Sequence, residues 1–392
     1  MSALLTSLQR RTRATSRPEA PYQRPDGLKL KAGEWVEVRS KEEILRTLDQ
    51  SGQLDGMPFM PEMFTFCSQR FQVYKRAHKT CDTVFPVRGR RVDQTVHLET
   101  RCGGQAHGGC DAGCLIFWKE AWLKRVDWEP PNERRFSIGE LSVDSSRQDV
   151  GGTTESEVRA AARIAGTNTE AIRYVCQATQ LPYATTSLAW WDFRQYLEDY
   201  WSGNASLWRI FKGLVYSTYF NVSQAGIGMG RAMRWFYDRS HPLWRGTLFP
   251  RKVGTIAQGQ PTPTVVLNLQ KGELVRVKSH EEILRTINTM NQNKGMLWDA
   301  ELVPYCGKVY RVLRRVTRIV NEKTGEMQEM KTPCIILDSV VCGSRYSACR
   351  MFCPRSIYPY WREIWLERVS PETERALGIQ TAPRERRSHL VY

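Results

Sequence analysis

The stretch GEWVEVRSKEEILRT at residues 33–47 returns as GELVRVKSHEEILRT at residues 272–286, with eleven of the fifteen positions identical. The two copies also end alike, in WKEAWLKRV at residues 118–126 and in WREIWLERV at residues 361–369. An internal repeat of this kind indicates one structural module that is used twice. A residue kept in both copies is therefore expected to serve the module itself.

Both copies carry the signals of a strand followed by a short helix. Apolar and polar residues alternate at the start of each copy, as in a half-buried strand. Ser40 and Ser279 then stand in N-cap positions, with Glu43 and Glu282 three residues later, which is the pattern of a capping box. Aromatic and β-branched strands follow, and the sequence NEKTG at residues 321–325 predicts a hairpin turn in the second copy.

These patterns predict an α+β fold in which two small β-barrel modules flank a helical, aromatic-rich middle region. Several short strands and a single helix in each copy resemble the layout of SH3-like barrels, a likeness of fold that carries no function. We expect a disordered basic arm at 1–28, the first module at 29–128, the helical region at 150–255, the second module at 268–370 and a flexible tail at 371–392.

Each copy carries three similarly spaced cysteines, which predict a metal-binding knuckle in each module. The six residues are Cys102, Cys110, Cys114, Cys342, Cys349 and Cys353. Seven and then three residues separate the cysteines of the first copy, and six and then three separate those of the second. Structural zinc takes four ligands in a tetrahedron, and thiolate is its usual ligand. The sequence therefore predicts two structural zinc sites, one in each module.

The fourth ligand of each site is expected from a strand near the knuckle, Cys81 in the first module and Cys334 in the second. Cys67 and Cys306 are the alternative pair, because they occupy equivalent positions, although both follow apolar runs typical of buried core thiols. His107 is a further candidate in the first module only. Disulfides, core thiols without a metal and an iron–sulfur cluster are the alternatives to zinc.

Catalytic motifs are missing from the sequence. There is no nucleophile elbow, P-loop or dinucleotide-binding glycine pattern, so we expect a non-catalytic protein. The alternative is an enzyme whose site lies in the middle region, around Trp190-Trp191-Asp192 and Cys176. Cys176 would act as a nucleophile only with a histidine beside it, and His241 is the candidate.

The charge of the chain predicts its class of partner. With 57 Lys and Arg against 41 Asp and Glu, the net charge is +16. Such a chain attracts nucleic acid, an acidic protein or an anionic lipid surface. We therefore expect a binding or scaffold protein, which could be an accessory to a larger enzyme system. Basic strands with aromatic residues, at residues 70–76 and 310–315, fit stacking on nucleic-acid bases.

Residues 206–237 suggest a second kind of contact. Their apolar centre is flanked by basic residues and by Trp208 and Trp235, which fits peripheral attachment to a membrane surface. A transmembrane span and a buried helix are the alternatives. No stretch has the form of a secretory leader, so we expect a cytoplasmic location, with membrane association as the alternative.

Overall fold

The computed structural model describes residues 27–84, 89–127, 152–164, 172–224, 230–244, 249–347 and 350–369. The tail predicted at 371–392 and nearly all of the arm predicted at 1–28 lie outside these residues.

The elements follow the two copies and the region between them. The first copy contains β1 Trp35–Val38, α1 Lys41–Leu45, β2 Gln53–Leu54, β3 Met57–Pro58, β4 Arg70–Arg76, β5 Lys79–Cys81, β6 Gly89–Arg91, β7 Thr95–Arg101, β8 Leu115–Lys119 and β9 Leu123–Arg125. The middle region contains α2 Glu155–Ala161, β10 Arg163–Ile164, β11 Arg173–Tyr174, α3 Gln177–Ala184, β12 Thr186–Leu188, α4 Arg194–Trp201, α5 Leu207–Gln224 and α6 Gly230–Ser240. The second copy contains β13 Leu274–Val277, α7 His280–Leu284, β14 Gln292–Asn293, β15 Met296–Leu297, β16 Val309–Val320, β17 Met327–Leu337 and β18 Leu366–Arg368. Short 3-10 helices lie at Pro61–Phe66, Gln105–His107, Glu120–Trp122, His241–Trp244, Ala300–Tyr305 and Glu363–Trp365.

Two curled antiparallel sheets, each half of a barrel, dominate this mixed α/β fold. Their strand orders are β8-β7-β4-β1-β9 and β17-β16-β13-β18. The registers of the equivalent strands agree: Val36 of β1 lies opposite Phe71 of β4, and Val275 of β13 lies opposite Tyr310 of β16. The predicted hairpin at residues 321–325 joins β16 to β17.

Both predicted capping boxes are confirmed. The Ser40 hydroxyl accepts the backbone N–H of Glu43 at 3.3 Å, and the Glu43 carboxylate accepts the backbone N–H of Ser40 at 3.0 Å. Ser279 and Glu282 exchange the same two bonds, at 3.3 and 2.9 Å. Each box satisfies donors that a helix N-terminus leaves unpaired, so α1 and α7 begin at equivalent residues.

A buried tryptophan holds each short helix against its sheet. Trp122 and Trp365 are fully buried, and each donates its indole N–H to a threonine hydroxyl at 3.1 Å, to Thr47 and Thr286 respectively. Each threonine hydroxyl in turn donates to a carbonyl of its own helix at 2.7 Å. A buried indole N–H needs such a partner, which explains why the threonine recurs in both copies.

A buried carboxylate binds the chain segment that precedes the first strand of each sheet. Glu120 accepts hydrogen bonds from the backbone N–H groups of residues 29–30 and forms an ion pair with Arg76 at 2.7 Å. Glu363 accepts backbone N–H groups in the same way and pairs with Arg315 at 2.6 Å. These bonds satisfy a charge that would otherwise be costly to bury.

The middle region packs into the first half-barrel. Strand β12 extends the sheet of β5 and β6, with Ser187 opposite Arg90. The side chain of Gln177, at the start of α3, accepts from the backbone N–H of Phe117 and donates to its carbonyl, both at 2.8 Å. The start of α3 therefore has a fixed position relative to β8.

We predict that Glu120→Gln lowers the free energy of unfolding by about 3 kcal/mol, because Arg76 would lose its buried carboxylate partner at 2.7 Å and keep only the longer pair with Glu198 at 3.5 Å. Urea denaturation followed by tryptophan fluorescence measures the change. Glu37→Gln is the matched control, since its ion pair with Arg70 at 3.0 Å is exposed and is expected to contribute less than about 1 kcal/mol. Equal effects of the two substitutions would contradict the role of the buried carboxylate.

Candidate metal centre

The first cysteine loop, residues 102–114, connects β7 to β8 and folds back on itself. The backbone N–H of Cys102 donates to the carbonyl of Cys114 at 2.9 Å, which joins the two ends of the loop. Gly104 has a φ of +74°, and a Cβ there would stand 2.1 Å from the carbonyl oxygen of Cys110. Only glycine fits such a turn, so this residue allows the loop to close tightly.

Strand β16 of the second half-barrel covers this loop. Asp111 accepts hydrogen bonds from the backbone N–H and the hydroxyl of Thr317, at 2.8 and 3.0 Å. The backbone N–H of Val320 donates to Cys110 Sγ at 3.3 Å. The two halves of the chain thus meet at the first cysteine loop.

Four thiols line one cavity between this loop, the start of α3 and β16. They are Cys102, Cys110, Cys114 and Cys176. The cavity volume is about 30 Å³, which is room for an ion or a water molecule but not for an organic substrate. Cys176 is the N-cap residue of α3. Nothing near Cys176 in the sequence marks it as a ligand, so it was expected to act only in the alternative catalytic site.

Beside the cavity, Glu62, Cys102 and His107 form a closer group. One ligand atom of each lies within 4.8 Å of the others, and among the described residues this is the one such group of three. Glu62 Oε1 lies 3.1 Å from His107 Nδ1 and accepts the backbone N–H of Ala106 at 3.0 Å. His107 Nε2 lies 3.1 Å from the carbonyl of Val175. Since both ring nitrogens face acceptors, His107 supports the loop and presents no free nitrogen to the cavity.

The sulfur atoms around the cavity are more widely spaced than a bound metal requires, since no three of them lie within 4.8 Å of one another. A tetrahedral zinc with Zn–S bonds of about 2.3 Å holds its sulfurs about 3.8 Å apart. Metal binding would therefore draw the loop and the start of α3 inward around the ion.

A second group of thiols lies where β5 meets the loop after β17. The backbone N–H of Cys81, the last residue of β5, donates to Cys353 Sγ at 3.1 Å. The hydrogen bond between these two side chains lowers the pKa of the Cys353 thiol, while burial and the nearby Cys342 act in the opposite direction. Cys349 lies outside the described residues. Cys81, the expected fourth ligand of the first site, therefore belongs to the second group.

The other candidate fourth ligands lie outside both groups. Cys334 is buried on β17, where its sulfur lies 3.8 Å from Met296 Sδ and 3.3 Å from Arg362 Nη1. Cys67 and Cys306 follow equivalent 3-10 helices and pack against the cores of the first and second half-barrel, respectively. Both are partly buried there.

Burial raises the pKa of three thiols around the first cavity. It raises the pKa of the Cys114 thiol to about 12 and that of Cys176 to about 11, although backbone N–H groups at the start of α3 lower the latter in part. Burial also raises the pKa of the Cys102 thiol well above its usual value. A coordinated metal reverses this preference, because a thiol that binds a metal ion loses its proton.

A buried guanidinium lies near both groups of thiols. Arg355 lines the first cavity, is only 3% exposed and pairs with Glu322 at 3.0 Å. Burial alone would lower its pKa, but the Glu322 carboxylate and the thiols of Cys81 and Cys114 raise the pKa well above its usual value. Arg355 is thus close enough to both groups to balance negative charge on either.

The residues of the alternative catalytic site do not form a catalytic arrangement in the described part of the chain. His241 Nδ1 bonds to the carbonyl of Asp238 at 2.6 Å, and its recorded partners do not include Cys176. Asp192 pairs with the exposed Arg194 at 2.7 Å, and this hydrogen bond lowers the pKa of Asp192 to about 2. Cys176 instead shares its cavity with three other thiols.

Helices α4 to α6 carry large apolar side chains on their outer side, which we call the exposed helical face. It comprises Trp201, Leu207, Trp208, Phe211, Val215, Trp235 and Phe236. None of the helices in the described ranges combines the length and the hydropathy that crossing a bilayer requires.

Comparisons of the chain with protein-family models, with curated proteins and with solved structures gave no match.

Proposed function

We propose that this chain is a non-catalytic, zinc-stabilised binding protein in which metal-pinned modules hold a helical face for an anionic partner. The observation that carries the proposal is the convergence of four thiols on one cavity of about 30 Å³. A zinc ion with four thiolate ligands has no open position for a substrate, so such a site fixes loops and does not catalyse.

Zinc fits the first group better than the alternatives do. The cavity has room for a single ion, whereas an iron–sulfur cluster needs space for several iron and sulfide atoms. All ten cysteines of the described residues are free, so none is engaged in a disulfide. The second group, with Cys81, Cys342 and Cys353, is proposed as a second zinc site, to which the sequence spacing adds Cys349.

In this proposal each half-barrel is an SH3-like module. The equal strand registers, the single short helix and the closing 3-10 helix before the last strand support this assignment. A small barrel has a limited core, so a metal ion that pins its longest loop would contribute free energy of folding.

The loop after β17 that carries Cys342 and Cys353, which we call the second cysteine loop, packs against α5 of the exposed helical face. Arg209 of α5 donates to the carbonyl of Gly343 at 3.3 Å. A Cβ at Gly213 would lie 2.5 Å from the ring of Phe352, so α5 and this loop are in close contact. A metal bound by the loop would therefore fix the position of α5. This contact links the metal sites to the proposed binding surface.

The composition of the helices supports an anionic partner. Helix α5 contains Arg209 and Lys212 and has no acidic residue. In α6 the single acidic residue, Asp238, already pairs with Lys252 at 2.9 Å. With a net charge of +16 on the chain, this face attracts an anionic surface.

Peripheral membrane attachment is the second candidate function, and the exposed apolar side chains favour it. Trp208 is 61% exposed, Phe211 is 56% exposed and Trp235 is 68% exposed. An amphipathic helix with basic residues and exposed aromatic side chains inserts its apolar side between lipid headgroups. Nucleic acid would instead stack its bases on the same aromatic rings.

We predict about two zinc ions per chain when the protein is produced and purified under reducing conditions. Elemental analysis measures the content. Removal of the metal by a chelator should lower the melting temperature, because the binding free energy contributes to folding. A metal content near zero in a folded protein would contradict the proposal.

We predict that Lys212→Glu combined with Arg231→Glu weakens retention on an anionic matrix at least tenfold at low salt, since both residues are exposed on the helices. Lys271→Glu with Arg285→Glu is the matched control, because it changes the net charge equally at exposed positions of the second half-barrel. Equal losses for the two variants would mean that total charge decides binding and that the helical face does not.

Trp208→Ala combined with Phe211→Ala distinguishes the partners. Loss of binding to phosphatidylserine vesicles with unchanged binding to heparin and RNA would identify the membrane candidate. Val266→Ala with Met290→Ala is the control, because both side chains are exposed and apolar but lie away from α5 in sequence and on another module.

A further inference from the structure

We propose that each metal site is completed by a cysteine from outside its own repeat: Cys176 of the middle region closes the first site, and Cys81 of the first half-barrel joins the second. This inference rests on the zinc-stabilised function proposed above. It replaces the expectation that Cys81 and Cys334 complete the sites of their own modules.

The position of Cys176 is set by its neighbour. Gln177 binds both the N–H and the carbonyl of Phe117 on β8 at 2.8 Å. Cys114 lies just before β8. Strand β8 therefore follows the ligand Cys114 directly and also binds Gln177, the neighbour of Cys176. Cys176 thereby reaches the cavity as the N-cap residue of α3, where it is one of the four thiols that line the wall.

Cys81 is held away from the first site. It ends β5, which pairs with β6, and its backbone N–H is bonded to Cys353 Sγ at 3.1 Å. Cys81 is not among the residues that line the first cavity, whereas it is already in contact with Cys353.

A positive charge beside the first cavity favours thiolate ligands. Zinc with four thiolate ligands carries two net negative charges, and buried charge needs a counter-charge. Arg355 at the cavity wall is already paired with Glu322 at 3.0 Å, so it offsets little of this charge. Arg101 supplies one positive charge: it donates to the carbonyls of Gly113 and Ser356, both at 3.0 Å, and in the described residues it pairs with no carboxylate. An anionic site beside Cys114 would give Arg101 the counter-charge that these contacts do not provide.

The closer group of Glu62, Cys102 and His107 is the rival ligand set. Glu62 and His107 bond to each other at 3.1 Å, and each also bonds to backbone groups. Recruiting His107 to a metal would break its bonds, whereas recruiting the Cys176 sulfur would break none of these. Glu62 Oε2 is buried without a hydrogen-bond partner in the described residues, so Glu62 is the competing ligand. We therefore assign His107 to holding the loop and Cys176 to the metal.

Metal binding in this arrangement joins parts of the chain that are distant in sequence. The first site would connect the first half-barrel to α3, and the second would connect β5 to the loop of the second half-barrel. Removal of one metal should therefore loosen contacts between modules as well as within one module.

Zinc content of single variants tests the assignment. Cys176→Ser and Cys81→Ser should each reduce the content from about two to about one ion per chain. Cys334→Ser and Cys67→Ser are the matched controls and should retain both ions. If the wild-type protein holds two ions and Cys176→Ser also holds two, or if Cys334→Ser loses one, the exchange of ligands is wrong while the zinc-stabilised function stands. Absence of zinc from the wild type would instead remove the function on which the inference rests.

Cobalt substitution keeps the test valid if a serine variant fails to fold. Histidine is also a metal ligand, so Cys176→His should restore two ions and should shift the cobalt absorption from that of four thiolates to that of three thiolates and one nitrogen. Cys334→His should leave the cobalt spectrum unchanged. Loss of the first ion in Glu62→Gln, with an unaltered cobalt spectrum in Cys176→His, would assign the metal to the rival group.

Discussion

The guanidinium of Arg355 has to be balanced in the interior, and the arrangement around the cysteines depends on this constraint. The residue is 3% exposed, and its recorded carboxylate partner is Glu322 at 3.0 Å. An uncompensated buried charge costs several kcal/mol, so groups that carry or acquire negative charge are favoured around it. Thiols of both groups, Cys114 on one side and Cys81 on the other, lie within its electrostatic reach. Both cysteine groups therefore lie near the same buried positive charge.

The two half-barrels share their local features and differ mainly in how each contacts the cysteine groups. Each has the same capping box, the same Trp–Thr hydrogen bond and the same buried carboxylate at equivalent positions. The long hairpin of β16 and β17 belongs only to the second, and its strand β16 covers the first cysteine loop through Asp111 and Cys110. The first half-barrel in turn contacts the second cysteine loop, through the hydrogen bond from Cys81 at the end of β5 to Cys353.

Contacts with the second cysteine loop explain how the exposed helical face, which has a small core of its own, is kept in a fixed position. The cluster beneath α5 contains Ala205, Ile210, Met351 and Phe352, two of which come from the second cysteine loop. The outer side of the same helix exposes Trp208 and Phe211. In the proposed function, the loop that takes part in metal binding also sets the position of the binding surface.

Local patterns in the sequence determined the strand starts, the capped helices, the hairpin at 321–325 and the cysteine loops, because these features depend on residues a few positions apart. The same reasoning could not place Cys81 or Cys176. Comparing the two copies gives no information on Cys81, which has no aligned cysteine in the second copy, or on Cys176, which lies outside both copies. Their positions follow from pairing and packing: β5 ends against Cys353, and Gln177 anchors α3 to β8. In the sequence, Cys334 lies on a strand close to the second cysteine loop, as a fourth ligand would. Side chains alternate along β17, however, and the side chain of Cys334 points into a core with Val316 and Ile336. The sequence thus determined which loops carry cysteines, and the tertiary structure decided which cysteines meet, because contacts between distant segments depend on how whole elements pack.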